Sequence, residues 1–446
     1  MKVAKFGGSS VANAEQIKKV GQIIKSDHQR KFVVVSAPGK QHHHDEKITD
    51  LLIRVGEAYL TNNTYDKDLM TILNRLSQII SDLKLPEQLL TDIKTAIENA
   101  LTYVKHDNLD PLKAIGEDSS AKILSAYLNT LGLPATYLNP KDAGLFVSNE
   151  PGNARILPES FNNIYQLRSQ EGIIVIPGFF GYTTDGQLMT FSRGGSDITG
   201  SIIAAGIKAD LYENFTDVDS VYSVNPHIVK NPCTIKTLTY KEMRELSYAG
   251  FSVFHDEALI PAFKEKIPVC IKNTNNPTAK GTMIVAHKKP TARCVVGIAS
   301  DTGFCSLYVS KYLMNRELGF GRKLFNILED EHVSFEHAPS GIDDMSIIIR
   351  ENQLTPEKEQ IIISRIKREL HADTVKIDRH LAMIMIVGEG MKHTVGMAQK
   401  AATALADAQV NIEMINQGSS EVSMMFGIQA DGLIRAIQSL YKAFFE

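Results

Sequence analysis

The amino-acid sequence predicts an α/β domain over residues 1–285, followed by two smaller α+β domains over residues 298–380 and 381–446. Three observations lead there. Short β-type runs alternate with helical patterns through the first 285 or so residues, the signature of a parallel or mixed sheet. Charged and turn residues then cluster at His287 to Arg293 and read as a linker. Beyond the linker the sequence repeats itself, and each copy reads strand, helix, strand, strand, helix, which is the split βαβ or ferredoxin-like order.

Taken in order, Val3 to Phe6 reads as a strand, Gly7-Gly8 as a turn, and Asn13 to Lys25 as a helix with Ile17, Val20 and Ile24 on one face. Phe32 to Val35 is a continuous buried-strand run, and Pro38 to Lys47 a polar loop. Residues 48 to 105 carry helical patterns and no strong strand, so a helical excursion over about 60–115 interrupts the sheet. Strand signals return at Ala135 to Leu138, Ile173 to Ile176, Leu188 to Phe191, Asp210 to Phe215 and Val269 to Lys272. Thr184-Asp185-Gly186 is a hairpin-type turn, and Tyr240 to Ala249 and Ala258 to Lys266 are helical.

In the C-terminal half, sliding residues 319–346 forward by 77 positions gives eight identities in 28 places, from Gly319/Gly396 to Ser346/Ser423, where chance gives about two. The first copy uses Leu307 to Val309, Lys323 to Glu331, Val333 to His337, Met345 to Ile349 and Glu357 to Leu370. The second uses Ala382 to Val387, Val395 to Ala408, Asn411 to Ile415, Ser423 to Ile428 and Leu433 to Phe445, and lacks a fourth strand. A strand such as Thr374 to Ile377, shared between the copies, would interleave the two units.

Composition bounds the function. With 446 residues, 43% hydrophobic and 22% charged, the chain is ordinary globular material with room for about three domains. A net charge of -3 exerts no global pull on nucleic acid or an anionic membrane, and neither is expected as a partner. The strongest apolar runs fall far short of the roughly 18 residues that span a bilayer, and Lys2 and Lys5 interrupt any signal peptide, so a cytoplasmic protein is expected. Cys233, Cys270, Cys294 and Cys305 show no CxxC or zinc spacing and read as buried or idle thiols.

Two glycine turns could carry chemistry. Lys5-Phe6-Gly7-Gly8-Ser9-Ser10 sets a lysine at a strand end before a turn in which glycines let the backbone approach a phosphate. Many ordinary βα turns look the same. In Arg193-Gly194-Gly195-Ser196-Asp197, Arg193 could fork onto a carboxylate or phosphate and Asp197 could orient a lysine such as Lys5, unless Ser196 simply caps a helix. No GxxxxGK[ST] occurs, which excludes a P-loop NTPase. Thr216-Asp217-Val218-Asp219 reads either as a nucleotide-side acidic turn or as an Asx turn. His42-His43-His44 lies in a polar loop where consecutive histidines diverge, and no metal site is assigned to it.

Together, Lys5 to Ser10, Val35-Ser36-Ala37, Gly116-Glu117, Phe191 to Asp197 and Phe215 to Asp219 resemble, in this order, the motifs of aspartate kinases. The tandem repeat resembles their paired ACT regulatory domains, and Met414 to Gly418 resembles a stretch of the second one. The resemblance implies a three-layer α/β/α amino-acid kinase domain, carbamate-kinase-like, followed by two ACT domains. It implies transfer of the ATP γ-phosphoryl group to the side-chain carboxylate of L-aspartate, giving 4-phospho-L-aspartate, the first step of lysine, threonine and methionine biosynthesis. Mg2+ is implied on the ATP phosphates.

Carried to matching positions, the family roles make Lys5 and Asp197 catalytic. Ser36, Thr49, Glu117, Arg193, Gly194 and Ser196 become aspartate-binding, and Lys5, Gly7, Gly8, Ser9, Thr216, Asp217 and Tyr222 nucleotide-binding. Met314, Phe320, Ser334, Glu336, Ser340, Asp343 and Asp344 fall where an allosteric amino acid, lysine first and threonine second, would be held. A homo-oligomer through the ACT domains is implied as well.

Two departures stand out. His227 follows Asn225-Pro226 where many members have arginine, and Ser252 stands where many have lysine; Lys230 or Lys280 are the nearby cations. The loop Gln41 to Lys47 is also longer than usual. The alternatives are an amino-acid-sensing protein with a degenerate kinase domain, and another amino-acid kinase such as a glutamate kinase.

Overall fold

The structure, a computed structural model, describes residues 1–42, 44–251, 257–289, 293–418 and 422–446. The chain divides into two compact units. One comprises Met1–Val221, Thr234–Arg244 and Ser252–Lys289; the other comprises Tyr222–Cys233, Glu245–Phe251 and Pro290–Glu446.

In the first unit, eight strands form one sheet: β1 (Lys2–Phe6), β2 (Arg30–Val35), β3 (Ala135–Tyr137), β4 (Ile173–Pro177), then, beyond the hairpin β5 (Phe180–Tyr182) and β6 (Leu188–Thr190), β7 (Leu211–Thr216), β8 (Thr237–Thr239), β9 (Val269–Asn273) and β10 (Thr282–Val285). Their order is β3-β4-β2-β1-β7-β9-β10-β8, and every neighbouring pair is parallel except β9 with β10. The short strands β8 and β10, three and four residues long, left no recognisable run in the sequence. The expected hairpin forms, closed by the Thr183 N–H on Gln187 O at 2.8 Å with Gly186 at φ 84°.

The helices are α1 (Ala14–Lys25), α2 (Ile48–Leu60), α3 (Asp66–Asp82), α4 (Gln88–Leu101), α5 (Asp110–Lys113), α6 (Ile115–Thr130), α7 (Glu159–Gln166), α8 (Gly195–Gly206), α9 (Tyr240–Tyr248) and α10 (Ile260–Lys264). Strand alternation sends Ala4, Phe6, Val33, Val35 and Phe215 to one face, into a core shared with α1, α2, α3, α4 and α6. On the other face α8 packs so closely that a Cβ on Gly200 would lie 2.4 Å from Tyr212 Oη. Helices therefore cover both faces, the arrangement that a parallel sheet requires. Arg30 and Glu213 form a buried bidentate pair at 2.6 and 3.0 Å within this sheet.

The second unit carries β11 (Gly297–Ser310), α11 (Phe320–Asp330), β12 (Asp344–Arg350), α12 (Pro356–Leu370), β13 (Thr374–Val387), α13 (Met397–Asp407), β14 (Met414–Asn416), β15 (Ser423–Gln429) and α14 (Leu433–Phe445). One antiparallel sheet, ordered β12-β11-β13-β15-β14, serves both sequence repeats. Its two central strands are each 14 residues long. The second half of β11 and the first half of β13 belong with α11 and α12; Leu307, Ile347, Leu324 and Ile366 share that core. The other halves belong with α13 and α14, where Ile298 joins Ile384, Leu405 and Leu440.

The strand missing from the second repeat is thus Gly297–Thr302, paired with Ala382–Val387, while Thr374–Ile377 closes the first repeat. The expected interleaving occurs through a different segment from the one anticipated. The expected strand Val333 to His337 is reduced to one isolated bridge, His337 with Ile348. The repeat identities have structural counterparts: Gly319 and Gly396 both cap helices with left-handed φ of 77° and 89°, and Leu328 and Leu405 are both core. Tyr222–Cys233 groups with this unit because Val224 enters its core, the Ile298 N–H donates to Ser223 O at 2.7 Å and the Cys233 N–H to Tyr441 Oη at 3.0 Å.

Candidate active site

The parallel strands β1, β2, β4 and β7 end at Phe6, Val35, Pro177 and Thr216, along one edge of the sheet. Ligands of open α/β sheets bind beyond such carboxyl ends. Lys5 is the penultimate residue of β1, lies between Val34 and Asn214 on the neighbouring strands, and is only 6% exposed. Its Nζ is 2.7 Å from Asp197 Oδ1 in the first turn of α8. The same oxygen accepts the Asn214 amide at 2.6 Å. A buried cation held by one carboxylate oxygen is compensated yet keeps donors to spare, as an ammonium carries three.

The loops after β1 and β2 are locked together. The Gly7 N–H donates to Phe215 O at 3.0 Å, the Ser36 N–H to Phe6 O at 3.1 Å and the Gly39 N–H to Gly8 O at 2.9 Å. A Cβ on Gly8 would come 2.9 Å from Ala37 O, so this glycine is required by loop packing whatever the loop binds. The helix expected over Asn13 to Lys25 forms as α1, with Asn13 as its N-cap. Gly8–Val11 is a single 3-10 turn, and α1 begins only at Ala14, capped by the Asn13 side chain on the Gln16 N–H. Ser9 is exposed at the turn's tip.

The second glycine turn is built by backbone conformation. Gly194 at φ 80° is the N-cap of α8, a left-handed position that costs a residue with a Cβ about 1–2 kcal/mol. Ser196 therefore lies within the first turn and is not the cap. Its Oγ instead points to Glu117 Oε1, at 3.4 Å. Glu117 sits in the first turn of α6, 6% exposed, and accepts the Ala37 N–H. Its Oε2 is buried and finds no partner among the described residues. Burial pushes its carboxyl up to about 8, against the opposing pull of its hydrogen bonds and of the Lys5 charge. Arg193, one residue before the cap, is exposed and makes no hydrogen bond or ion pair with the described residues.

Ser36 is half-buried just past β2, and Thr49 half-buried at the second residue of α2. Thr216 ends β7 with its hydroxyl 3.1 Å from Asp217 Oδ1; Asp217 is exposed. Three residues that sequence reasoning missed buttress this end of the sheet. Asn214 holds Asp197, Asn273 Nδ2 donates to Asp219 Oδ1 at 2.7 Å, and Thr274 shares a buried hydroxyl contact of 2.7 Å with Ser10. None carried a signal in the sequence: Asn214 stands beside the polar Glu213, Asn273 ends β9 and Thr274 follows it. Tyr222 and His227 fall in the second unit, and Ser252 lies outside the described residues.

The acids of the 41–47 loop are already engaged. Asp45 accepts the Gln41 N–H at 2.8 Å and pairs with Arg75 at 3.2 Å, and Glu46 pairs with Arg54. His42 and His44 are exposed, and His43 lies outside the described residues. No cluster of three or more His, Cys, Asp or Glu side chains fit to hold a metal occurs among the described residues.

In the second unit the seven expected effector contacts are spread out. Met314 and Phe320 are buried in the core of the first repeat. Ser334 lines a groove of about 490 Å³ with Phe325, His332, Phe335 and Gln353, and both its N–H and its hydroxyl donate to Gln353 Oε1. Glu336 accepts from Arg350 Nε at 3.3 Å and from the Tyr248 hydroxyl. Ser340 bridges to Met345, Asp343 Oδ1 accepts the Leu313 N–H at 2.8 Å, and Asp344 opens β12 beside Gly341.

Known proteins share this arrangement. Residues 1–273 match the amino acid kinase family and residues 384–444 an ACT domain. The chain is 57% identical to aspartokinase 3 of Bacillus subtilis over 448 aligned positions, covering 100% of this chain and 99% of that protein. A crystal structure of Clostridium acetobutylicum aspartate kinase superposes with a TM-score of 0.88 at 40% identity over the full length of both chains. Escherichia coli aspartokinase III, in complex with aspartate and ADP, shares the fold at 23% identity and a TM-score of 0.80, again over both full chains. No helix among the described residues is long and apolar enough to cross a membrane. A buried lysine–carboxylate pair at a parallel sheet's carboxyl edge, a glycine turn beside it and a tandem ACT region, together with this full-length similarity, identify the chain as a member of the amino acid kinase family, among its aspartokinases.

Proposed function

We propose that this cleft transfers the γ-phosphoryl group of ATP to the side-chain carboxylate of L-aspartate, giving 4-phospho-L-aspartate and ADP. The observation that carries the reading is the Lys5–Asp197 pair at 2.7 Å, buried at the sheet edge and a few residues from an unpaired Arg193. A carboxylate is already ionised at neutral pH, so the nucleophile needs no base. One carboxylate oxygen forms the new P–O bond, the bond to the ADP oxygen breaks, and no proton moves. The barrier is the approach of two anions, and fixed positive charge lowers it.

Lys5 places its remaining ammonium protons on the transferred group, and Asp197 aims it. Arg193 forks onto the α-carboxylate of aspartate, with Gly194 and Ser196 shaping the turn around it. Glu117, with its unpartnered oxygen, receives the α-ammonium; Ser36 and Thr49 complete the substrate side. Gly7, Gly8, Ser9, Thr216 and Asp217 line the nucleotide. Mg2+ suits this donor set: it binds through phosphate oxygens, water and one or two carboxylates, so it needs no protein cage, and when bound on ATP it neutralises phosphate charge.

The ACT pair would hold a regulatory amino acid, lysine before threonine, within a homo-oligomer built through the same domains. Escherichia coli aspartokinase III has been solved with lysine and aspartate, which makes lysine the first effector to test. The test is ADP release by the purified chain with aspartate and ATP, with and without lysine, threonine and methionine. Aspartate-dependent turnover that lysine depresses without competing with aspartate is expected. ATP bound but not consumed in the presence of aspartate would overturn the catalytic reading, and inhibition purely competitive with aspartate would overturn the allosteric one.

A further inference from the structure

We infer that Asn214 is a positioning residue for phosphoryl transfer, acting on Lys5 through Asp197. Asn214 lies in the interior of β7, directly across the strand pair from Lys5, and is 3% exposed. An amide buried in a strand is costly unless its hydrogens are satisfied. Here Nδ2 donates to Asp197 Oδ1 at 2.6 Å, with Tyr212 Oη as a weaker neighbour at 3.4 Å. A carboxylate only accepts, so the amide must turn its NH2 group, and not its oxygen, toward Asp197.

Two donors thus meet on one oxygen, Lys5 Nζ at 2.7 Å and the Asn214 amide. The second donor does two things. It fixes the rotamer of Asp197, whose backbone is held by the Asp197 N–H on Gly194 O at 2.9 Å and the Tyr212 hydroxyl on Asp197 O at 3.2 Å. It also takes up part of the carboxylate's charge, so Asp197 orients Lys5 without cancelling it. The ammonium stays at the strand end with its charge available to an incoming phosphate. Asn214 touches neither substrate, and this role rests on the reading of Lys5 as the phosphoryl-binding group.

The test compares Asn214→Leu, of similar volume but without a donor, and Asn214→Asp, isosteric with a second carboxylate, in the full chain. Lys5→Ala is run in parallel, and folding of each is checked by its thermal transition. Asn214→Leu is expected to lower kcat by about tenfold or more while KM for aspartate and for ATP stays within about twofold. Asn214→Asp sets two carboxylates against one lysine, so its kcat–pH profile gains an acid limb that the wild type lacks. A purely structural residue would shift the thermal transition and leave that profile unchanged. If Lys5→Ala abolishes turnover but folded Asn214→Leu keeps wild-type kcat, or Asn214→Asp keeps the wild-type profile, the inference about Asn214 is wrong. If Lys5→Ala itself turns over normally, the underlying reading of the site fails instead. Should Asn214→Leu not fold, the profile of Asn214→Asp alone decides.

Discussion

Glu117 is expected to lose a proton when aspartate binds. Burial raises its carboxyl to about 8, and one of its oxygens has no partner among the described residues. At pH 7 the ligand-free site is then about 90% protonated, and at pH 8 about half. An α-ammonium arriving at that oxygen restores the ionised form. Aspartate binding should therefore release about 0.9 proton at pH 7 and about 0.5 at pH 8. Titration calorimetry in buffers of different ionisation enthalpy reads this as the slope of observed heat against buffer enthalpy. Glu117→Gln should flatten the slope at both pH values and weaken aspartate binding by roughly 10- to 100-fold, the worth of a hydrogen bond to a charged group. The sign for stability follows from the same shift. The folded state binds more protons than the unfolded chain between about 4.5 and about 8, so this group's contribution falls as pH rises through that window. Glu117→Gln should remove that loss, raising the thermal transition relative to wild type at pH 8 more than at pH 5. A flat slope for the wild type at pH 7, or an unchanged slope in Glu117→Gln, would refute the reasoning.

Other expectations concern roles and packing. Lys5→Ala should lower kcat by orders of magnitude with aspartate affinity nearly intact, whereas Arg193→Ala should mainly raise KM for aspartate; steady-state kinetics showing equal losses of both parameters in both variants would contradict these assignments. Arg30→Met leaves Glu213 buried against a lone Lys272 Nζ at 3.9 Å and should cost about 3–5 kcal/mol in denaturant melts, while replacing both Arg30 and Glu213 with apolar residues should recover much of it. Leu328→Ala and Leu405→Ala, at matching positions of the two repeats and both at most 1% exposed, should each cost about 2–5 kcal/mol in the same melts.

Much of this was written locally in the chain. Lys5 and the glycine turn were legible because a strand end, a cation and two glycines are contiguous, and Asp197 because it follows a glycine pair at a helix start. Ser196 was read as a possible cap because Ser is a common cap; the left-handed Gly194 takes that position two residues earlier, and only the backbone reveals it. Asn214 was invisible because its partner lies 17 residues away and Glu213 beside it is polar too, so nothing in the strand's pattern singles it out. The long strands β11 and β13 were read as short ones. Each passes from one core to the other near its middle, where β11 is exposed around Thr302 and Gly303 and the apolar pattern breaks. The strand completing the second repeat precedes the first in sequence, a swap that spacing alone does not encode.

The most direct measurement of the central claim is a crystal structure with aspartate and a non-hydrolysable ATP analogue bound. The Arg193 guanidinium is expected on the amino acid's α-carboxylate, Glu117 on its ammonium and Lys5 Nζ within hydrogen-bond reach of the terminal phosphate, still held by Asp197. Ligands seated elsewhere, or a Lys5 that contacts only Asp197 while another cation meets the phosphate, would contradict it.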